Sequence, residues 1–294
     1  MNKLLTANFI RLKKSKLFWI ITVFNIVMSC VSIANTYDYN QSLIEYHEGM
    51  TDSAFVPTTA LHLLYNFTPL IGLISAFMLA FFIGTEYHDN TMRNKLICGQ
   101  SRVKVYLANL LICFLITTLF WLLPILMVLM VGIPLLGMPK LTTAALAQLL
   151  VFAVIGLLIC AVYASLFTLI SMLIHNRSYA LICGVVLAIV LLFAGSFCES
   201  RLSEPEYYTD YSLIFTEDGT QQVVLSEPVK NPMYLGENAR RLVTFLYDFL
   251  PGGQTIQIAN LNVANEPLLI LYSIGIAGVS TFVGVYFFKK KDLK

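Results

Sequence analysis

The side chains that could do chemistry in this sequence lie at the ends of its apolar stretches. Glu86, His88 and Asp89 follow one such stretch, and His175 and Arg177 lie between two others. A charged residue in the middle of a membrane span is costly and usually marks an ion or proton pathway. Because the sequence places none there, it offers no proton relay, and this argues against an ion-coupled carrier.

The motifs of common membrane-bound and nucleotide-binding enzymes are absent from the sequence. It contains no HExxH metalloprotease motif, no paired carboxylates near a span and no Walker A phosphate-binding loop. His47 and His62 are isolated, and the six cysteines are interpreted as small buried apolar residues, not as a disulfide framework. We therefore predict no catalytic residue, no metal site and no cofactor, in a chain that is not itself an enzyme.

Uncharged polar side chains are the remaining candidates within the apolar stretches. Such groups commonly form hydrogen bonds between membrane helices, and this is one interpretation of them here. The alternative is that they line a path for an amphipathic or lipid-like substrate. The candidates for lining such a path are Asn25, Asn66, Thr68, Thr117 and Thr118. Side chains in either role provide no source of energy, so uphill movement of a substrate would need a partner that supplies it.

The composition indicates that lipid surrounds the elements that position these residues. Hydrophobic residues are 57% of the chain, charged residues are 12%, and the mean hydropathy is +0.74. A soluble domain carries about 25% charged residues, so a soluble enzyme is excluded. The net charge of only +2 excludes a nucleic-acid-binding chain. Crossing a bilayer takes about 20 apolar residues, and six stretches reach that length: 17–35, 63–84, 105–137, 142–174, 179–198 and 267–288.

Details of these stretches predict departures from six simple spans. Residues 105–137 and 142–174 are too long to cross the bilayer upright, so these helices are expected to tilt or to project beyond the lipid. Pro124 is expected to kink or split the third span. The basic segment 1–16 precedes a long apolar run without a convincing cleavage site, which predicts a retained signal anchor.

The distribution of charge predicts the orientation. With the N-terminus inside and six spans, 14 of the 19 Lys and Arg residues lie inside and 14 of the 17 acidic residues lie outside. The positive-inside rule favours this arrangement, in which both termini of a multi-pass cell-membrane protein are cytoplasmic.

The segments between the spans carry further signals. Residues 36–62 form an acidic outer segment, including Glu48 and Asp52, that is long enough for a short helix. In the segment 199–266, two apolar strands at 211–215 and 221–225 flank the turn signal Asp218-Gly219, which predicts a hairpin. Residues 237–250 have the spacing of an amphipathic helix, and the Pro-Gly-Gly run at 251–253 is expected to end it.

The inner segment 85–104 predicts a short amphipathic helix along the membrane face. Asp89 or Asn90 is expected to cap it, and Gly99 is expected to stop it. Its apolar residues are Met92, Leu96 and Ile97, and its basic residues Arg93 and Lys95 are expected to face elsewhere. From the pattern alone this helix either rests on the lipid or binds a partner.

Residues 84–87 (GTEY), 90–96 (NTMRNKL) and 101–102 (SR) resemble the coupling-helix segment of ABC transporter permeases of the type-2 exporter class. The Firmicutes-type permeases, some tied to peptide-antibiotic export or immunity, are the most similar. Residues 11–19 (RLKKSKLFW) are similar to the basic first helix of these permeases, and residues 249–254 (FLPGGQ) are similar to their outer segment.

The resemblance implies an all-α polytopic membrane protein with six transmembrane helices per subunit, two subunits per transporter and a separate cytoplasmic ATPase beneath each. The chain 1–294 is then a single permease domain, in which residues 85–104 form the cytoplasmic coupling segment. The residue patterns above predict a small extracellular subdomain, a hairpin plus a helix, at 199–266, and its size departs from the shortest members of the class. Glu86 is expected to pair with a basic residue either of the coupling helix or of the N-terminal helix. The implied ATPase-coupling residues are Glu86, Asp89, Met92, Arg93, Asn94, Lys95, Leu96 and Arg102, and those of the inner interface are Arg11, Lys13, Lys14 and Trp19.

The main hypothesis is therefore a permease subunit of an ATP-driven ABC exporter, which forms the substrate path as a dimer. Its expected partners are an ATPase that binds ATP and Mg²⁺, a second copy or a homologous permease, and the lipid bilayer. A hydrophobic peptide, a lipid or a drug would suit the apolar walls, and antimicrobial peptide resistance is a role that the resemblance implies. The alternative is a membrane sensor or scaffold in an ATPase-linked complex, which transmits a signal or mechanical change without moving a substrate.

Overall fold

The computed structural model describes residues 2–47, 57–174, 176–208, 211–215, 221–225 and 227–291. Within these ranges, six helical segments are long and apolar enough to cross a membrane, as predicted. Four are the single helices α2, α8, α9 and α12. A fifth consists of α3, a short 3-10 helix and α4, and the sixth consists of α6, a π-helical turn and α7 (Ile133–Leu136). The bounds are α1 Asn2–Lys14, α2 Lys16–His47, α3 Ala60–Leu63, the 3-10 helix Thr68–Leu70, α4 Ile71–His88, α5 Thr91–Ile97, α6 Arg102–Met127, α8 Thr143–Leu173, α9 Arg177–Ser203 and α12 Glu266–Lys290.

The first span is longer than predicted. The apolar run ends at residue 35, but α2 continues to His47 through residues assigned to an outer segment. The length of an apolar run matches the thickness of the hydrocarbon layer that the helix crosses. Backbone hydrogen bonds, however, continue a helix through polar residues as well. The side chain of Asn40 fixes this extension, since its Nδ2 donates to the carbonyl of Thr58 at 2.8 Å and its Oδ1 accepts from the Thr58 amide at 3.0 Å. Glu48 and Asp52 lie outside the described residues.

The third span does not split at Pro124. Helix α6 runs through this proline to Met127, and a π-helical turn at Val128–Gly132 and the short helix α7 at Ile133–Leu136 follow it. Proline removes one backbone donor and crowds the preceding turn. Here the carbonyl that loses its backbone donor is that of Phe120, and the side chain of Asn25 donates to it at 3.1 Å.

Helices α4, α6 and α8 form the centre of the bundle. Helix α9 packs along α4, α12 packs along α8 and α6, and α2 packs on α6. The largest fully buried side chains are concentrated in the three central helices, whereas α2, α9 and α12 carry many exposed apolar residues. Lipid surrounds these outer helices, so their exposed apolar side chains are favourable. The buried set includes Met78, Leu79, Ile83, Tyr106, Phe120, Phe152, Tyr163 and Phe167, and the exposed set includes Ile20, Val23, Phe24, Phe193, Phe197, Leu271 and Phe282.

The cysteines differ in exposure. Cys113, Cys160 and Cys198 are buried, as expected for small apolar residues, Cys30 is half-buried, and Cys98 and Cys183 are exposed. All six are free. Cys183 lies on the outward-facing helix α9, and Cys98 directly follows α5. The prediction that the cysteines are buried is therefore wrong for these two.

One end of the bundle gathers most of the positive charge. It contains α1, the segment 85–104, the turn before α9 and the carboxyl end of α12, and we call it the basic face. Arg11 of α1 contacts the end of α4, and Lys291 after α12 contacts the end of α8. Both ends of the described chain therefore lie on the same face, as an even number of spans requires.

The opposite face carries the segment between α9 and α12. Strands β2 (Tyr211–Phe215) and β3 (Gln221–Leu225) form at the predicted residues and pair antiparallel, with Phe215 opposite Gln221. The turn signal Asp218-Gly219 lies outside the described residues. A second antiparallel pair, β1 (Tyr207–Tyr208) with β4 (Val229–Lys230), was not predicted and flanks the hairpin in sequence.

Helix α10 (Glu237–Phe249) forms as predicted, but the Pro-Gly-Gly run does not simply end it. Pro251 begins another helix, α11 (Pro251–Ala259), because proline suits the first position of a helix. The two glycines lie within α11, where it packs on α9: a Cβ atom on Gly195 of α9 would lie 2.5 Å from the carbonyl carbon of Gly252. The glycines therefore permit a close helix contact.

Hydrogen bonds between polar side chains, some of them buried, fix α10 and α11 on the bundle. Glu199 of α9 accepts hydrogen bonds from the Tyr247 hydroxyl and, at 3.2 Å, from Asn260. Burial raises the pKa of Tyr247, and the hydrogen bond to Glu199 raises it further. Asp248 accepts from Gln257 at 3.0 Å and from Asn265 at 3.1 Å. The segment 199–266 is thus attached to the spans at several points.

Candidate functional site

A single buried carboxylate organises the basic face. Glu86 lies in the last turn of α4 and is fully buried. Its Oε1 accepts from both Arg11 of α1 and Lys95 of α5, and its Oε2 accepts from Asn109 Nδ2 of α6 at 2.9 Å. Four helices therefore meet at one side chain.

Two buried amides complete this arrangement. Asn8 of α1 donates through Nδ2 to Asn109 Oδ1 at 2.6 Å, and its Oδ1 accepts from Lys95 Nζ at 2.8 Å. Asn8 and Asn109 are at most 1% exposed. We call Asn8, Arg11, Glu86, Lys95 and Asn109 the Glu86 cluster. Each carboxylate oxygen of Glu86 has a partner, which is what allows the charge to be buried.

The Glu86 cluster carries one negative and two positive charges. Burial lowers the pKa of Lys95, and the attraction of Glu86 opposes this effect. The guanidinium of Arg11 also lies over the ring of Phe82, with its Cζ 3.9 Å from the ring centroid, which is a favourable cation–π position. Both cations are therefore stabilised by Glu86, and neither would be stable at its position if that carboxylate were removed.

The structure answers the question of which basic residue pairs with Glu86, because both do. The prediction that Lys95 faces away from the bundle is wrong. Met92 and Lys95 are three residues apart and share one face of a helix, so the burial of Met92, at 1% exposure, also turns Lys95 inward. Ile97, expected on the apolar face, is 72% exposed.

Apart from Ile97, the outward side of α5 consists of polar residues. Arg93 and Asn94 are both exposed, whereas Leu96 is partly buried against the core. The predicted cap is wrong in detail, because Asn90 occupies the N-cap position with a positive φ of 54° and makes no capping hydrogen bond through its side chain. Asp89 instead contacts His88 at 2.9 Å. Gly99, with φ of 80°, follows the helix as expected for a glycine stop.

Arg102, predicted as a coupling residue, holds the end of another helix. Its guanidinium donates to the carbonyls of Phe288 at 3.4 Å and Lys289 at 3.3 Å, and also to that of Lys291. Lys291 in turn donates to Met172 and Leu173 at the end of α8, at 2.7 and 3.0 Å. A cation at a helix carboxyl end is favourable because it meets unpaired carbonyls.

Lys291 was not singled out from the sequence, although a lysine run after a terminal helix is a signal for such a cap. Burial lowers its pKa to about 8. Together Arg102 and Lys291 connect α6, α8 and α12 on the basic face, beside the helices that the Glu86 cluster connects.

The remaining residues predicted for the inner interface surround the junction of α1 and α2. Trp19 Nε1 donates to the carbonyl of Lys13 at 2.9 Å, and the Lys13 ammonium lies 4.9 Å from the centroid of the Phe9 ring. Ser15, between the helices, accepts from the Phe18 amide at 3.3 Å. Lys14 is exposed. These contacts fix the angle at which the chain enters the bundle.

The five residues suggested as pathway lining have different environments. Asn25 donates to the carbonyl of Phe120 at 3.1 Å, and Thr68 accepts from Trp121 Nε1 at 3.2 Å, so both connect helices. Thr117 is fully buried, and Thr118 is half-buried. Asn66 is exposed and borders an open cavity of about 430 Å³ between α2 and the start of the second span. The structure thus does not bring these five together.

The first prediction concerns the Glu86 cluster. Glu86→Ala leaves Arg11 and Lys95 without a counter-charge, so we expect a loss of about 3–5 kcal/mol in unfolding free energy, the usual cost of breaking a buried ion pair. A lower thermal unfolding midpoint of the purified protein in detergent would report it. Asp89→Ala removes an exposed acid three residues away and should change the free energy by less than about 0.5 kcal/mol. Equal midpoints for the two variants would contradict a structural role for the buried carboxylate.

Comparison with known proteins adds an independent observation to this geometry. The family described as "ABC-2 family transporter protein" matches residues 4–195, which include α1, the Glu86 cluster and α5. No curated protein sequence matches the chain significantly. Since the family match covers more than half of the residues, the chain belongs to the ABC-2 family of transporter proteins, as a membrane-spanning permease.

Proposed function

We propose that the chain is the permease subunit of an ATP-driven exporter and that a separate ATPase, which binds ATP and Mg²⁺, docks on α5. The observation that carries this proposal is the two-sided character of that helix. Arg93 and Asn94 are exposed toward solvent, whereas Met92 and Lys95 are turned into the bundle. A partner that contacts the outward side would act on the inward side through seven residues of rigid helix.

The Glu86 cluster supplies the route for that action. Lys95 joins α5 to Glu86 of α4, and Arg11 and Asn109 join the same carboxylate to α1 and α6. A displacement of α5 would therefore move all four helices as one body. Because α4 also packs on α8 and α9, the movement would reach the centre of the bundle. This is a mechanical coupling through contiguous contacts, with α5 as the input.

The proposal includes a second subunit, either another copy or a homologue. The spans of one chain surround a well-packed core whose large side chains are fully buried, which favours a substrate path between subunits over one within a single bundle. Alternate opening of that path would follow from rocking the two bundles against each other. The membership in the ABC-2 family supports this arrangement.

The proposed orientation places the basic face in the cytoplasm. Basic residues accumulate on that face, and the positive-inside rule applies to short segments close to the span ends. ATP is cytoplasmic, so the same orientation brings α5 to the side where an ATPase would bind. The segment 199–266 would then be extracellular.

The coupling proposal predicts that charge reversal on the outward side of α5 weakens binding of the ATPase. Arg93→Glu should lower the affinity of the permease for its cognate ATPase about tenfold, the equivalent of one lost interface contact, and should lower the ATPase rate stimulated by the permease. The unfolding midpoint should not change, because Arg93 is exposed. Co-purification and ATPase assays of the reconstituted complex measure these effects.

Lys140→Glu is the matched control, since Lys140 is an exposed basic residue on the opposite face. It should leave both association and stimulated activity unchanged. If Arg93→Glu behaves like Lys140→Glu, α5 is not the docking helix.

The orientation predicts the side from which a native cysteine can be labelled. Cys98 directly follows α5 and is exposed, so a membrane-impermeant maleimide should label it in inside-out vesicles but not in intact cells. In a Cys98→Ser background, Lys140→Cys should show the reverse. Labelling of Cys98 in intact cells would place the basic face outside and would rule out the proposed orientation.

A further inference from the structure

An open cavity of about 340 Å³ lies beside the Glu86 cluster, where the α1–α2 junction, α4 and the start of α9 meet. Its volume is at the lower end of the range for small-ligand sites, about 300–1,000 Å³. Arg11, Lys14 and Arg177 line it, together with one acid, Asp89. That acid already contacts His88 at 2.9 Å. The cavity therefore has an excess of positive charge.

Arg11 has hydrogen-bonding capacity that its protein partners do not use. Its Nη1 donates to Glu86, but Nε and Nη2 are buried and have no hydrogen-bond partner among the described residues. A buried donor left without an acceptor is destabilising. Because both nitrogens are buried, an acceptor in the cavity would reach them only after the Arg11 side chain turns toward it. A phosphate is the acceptor whose geometry a guanidinium binds best.

Arg177 is also poorly compensated within the chain. It is the first residue of α9, whose first turn contains no acid, and a cation at a helix amino end is electrostatically unfavourable. Its guanidinium lies 4.8 Å from the centroid of the Phe81 ring on the cavity wall. Gly84 leaves room for this placement, since a Cβ there would lie 2.8 Å from the Arg177 Cβ. A bound anion would supply the counter-charge that Arg177 lacks at the amino end of α9.

The wall of the cavity shows which kind of anion suits it. The lining also includes Ser15, Thr85 and Asp89. Its apolar residues, among them Leu17, Met78 and Phe81, lie on the sides of membrane-spanning helices. Basic residues at a bilayer edge attract anionic lipid headgroups. We propose that this cavity binds the phosphate of an anionic phospholipid in the leaflet at the basic face, with the acyl chains lying along α2 and α4. This holds whether or not an ATPase docks on α5.

The test uses the full chain alone, in detergent, with lipid binding followed by native mass spectrometry. The probes are phosphatidylglycerol, phosphatidylcholine and inorganic phosphate. Phosphatidylglycerol should bind more tightly than phosphatidylcholine. The double variant Lys14→Gln with Arg177→Gln should lower the affinity for phosphatidylglycerol about tenfold. Arg11 is left intact because it belongs to the Glu86 cluster.

The matched control is Lys13→Gln with Lys104→Gln, which removes the same charge from exposed residues of the basic face that do not line the cavity. It should leave phosphatidylglycerol binding unchanged. An equal loss in both double variants would mean diffuse surface attraction and would overturn the proposal. Inorganic phosphate that competes with phosphatidylglycerol at equal concentration would identify a site for free phosphate instead, and would overturn the lipid assignment. Unfolding midpoints of both double variants check that they are folded.

Discussion

The burial of one carboxylate constrains the whole basic face. A charge transferred from water to the protein interior is costly unless ion pairs and hydrogen bonds compensate it. Glu86 satisfies this condition only because Arg11, Lys95 and Asn109 converge on it from three other helices. Asn8 then bridges Lys95 and Asn109. The positions of α1, α5 and α6 relative to α4 are therefore linked by one electrostatic requirement.

The basic residues of this face have structural roles in addition to their effect on orientation. Arg102 and Lys291 donate to the carbonyl ends of α12 and α8, so positive charge caps two helices whose last carbonyls would otherwise lack partners. With the Glu86 cluster, these contacts connect α1, α4, α5, α6, α8 and α12 in one layer. A force on α5 would act on a connected layer, which is what the proposed mechanism requires. Arg11 also lines the cavity beside this layer, so a lipid headgroup bound there, as proposed, would contact the same layer.

The sequence predicts the spans well because a segment crosses the bilayer when it is apolar over a sufficient length, and hydropathy measures this property directly. All six appear at the predicted places, and the strands at 211–215 and 221–225 form as expected. Prediction fails where tertiary contacts decide. The extension of α2 to His47 depends on the contact of Asn40 with Thr58, which is not a local signal. Pro251 suits the first position of a helix, but the packing of α11 on α9 is not visible in the local sequence.

The candidate site shows the same limit. The pattern of the segment that contains Glu86 and α5 predicts its place, but the charge of Lys95 predicts a position away from the apolar side, whereas helix periodicity turns it inward. Its spacing of three from Met92 was the available clue. The hydrogen bond of Asn8 to Asn109, which in turn donates to Glu86, could not be predicted, since Asn8 and Asn109 are far apart in sequence and only the packing of α1 on α6 brings them together.

The central claim is that the helices joined at Glu86 move as one body, and a distance measurement tests it most directly. Spin labels on the native Cys98 after α5 and on Lys13→Cys in α1, with Cys183→Ser to remove the other exposed thiol, allow pulsed electron resonance on the permease–ATPase complex. The account predicts one narrow distance distribution that is the same without nucleotide and with ATP bound. The same labels in Glu86→Gln should give a broader distribution. A distance that changes on ATP binding while Glu86 is intact would show that α5 moves independently of α1, and would contradict the account.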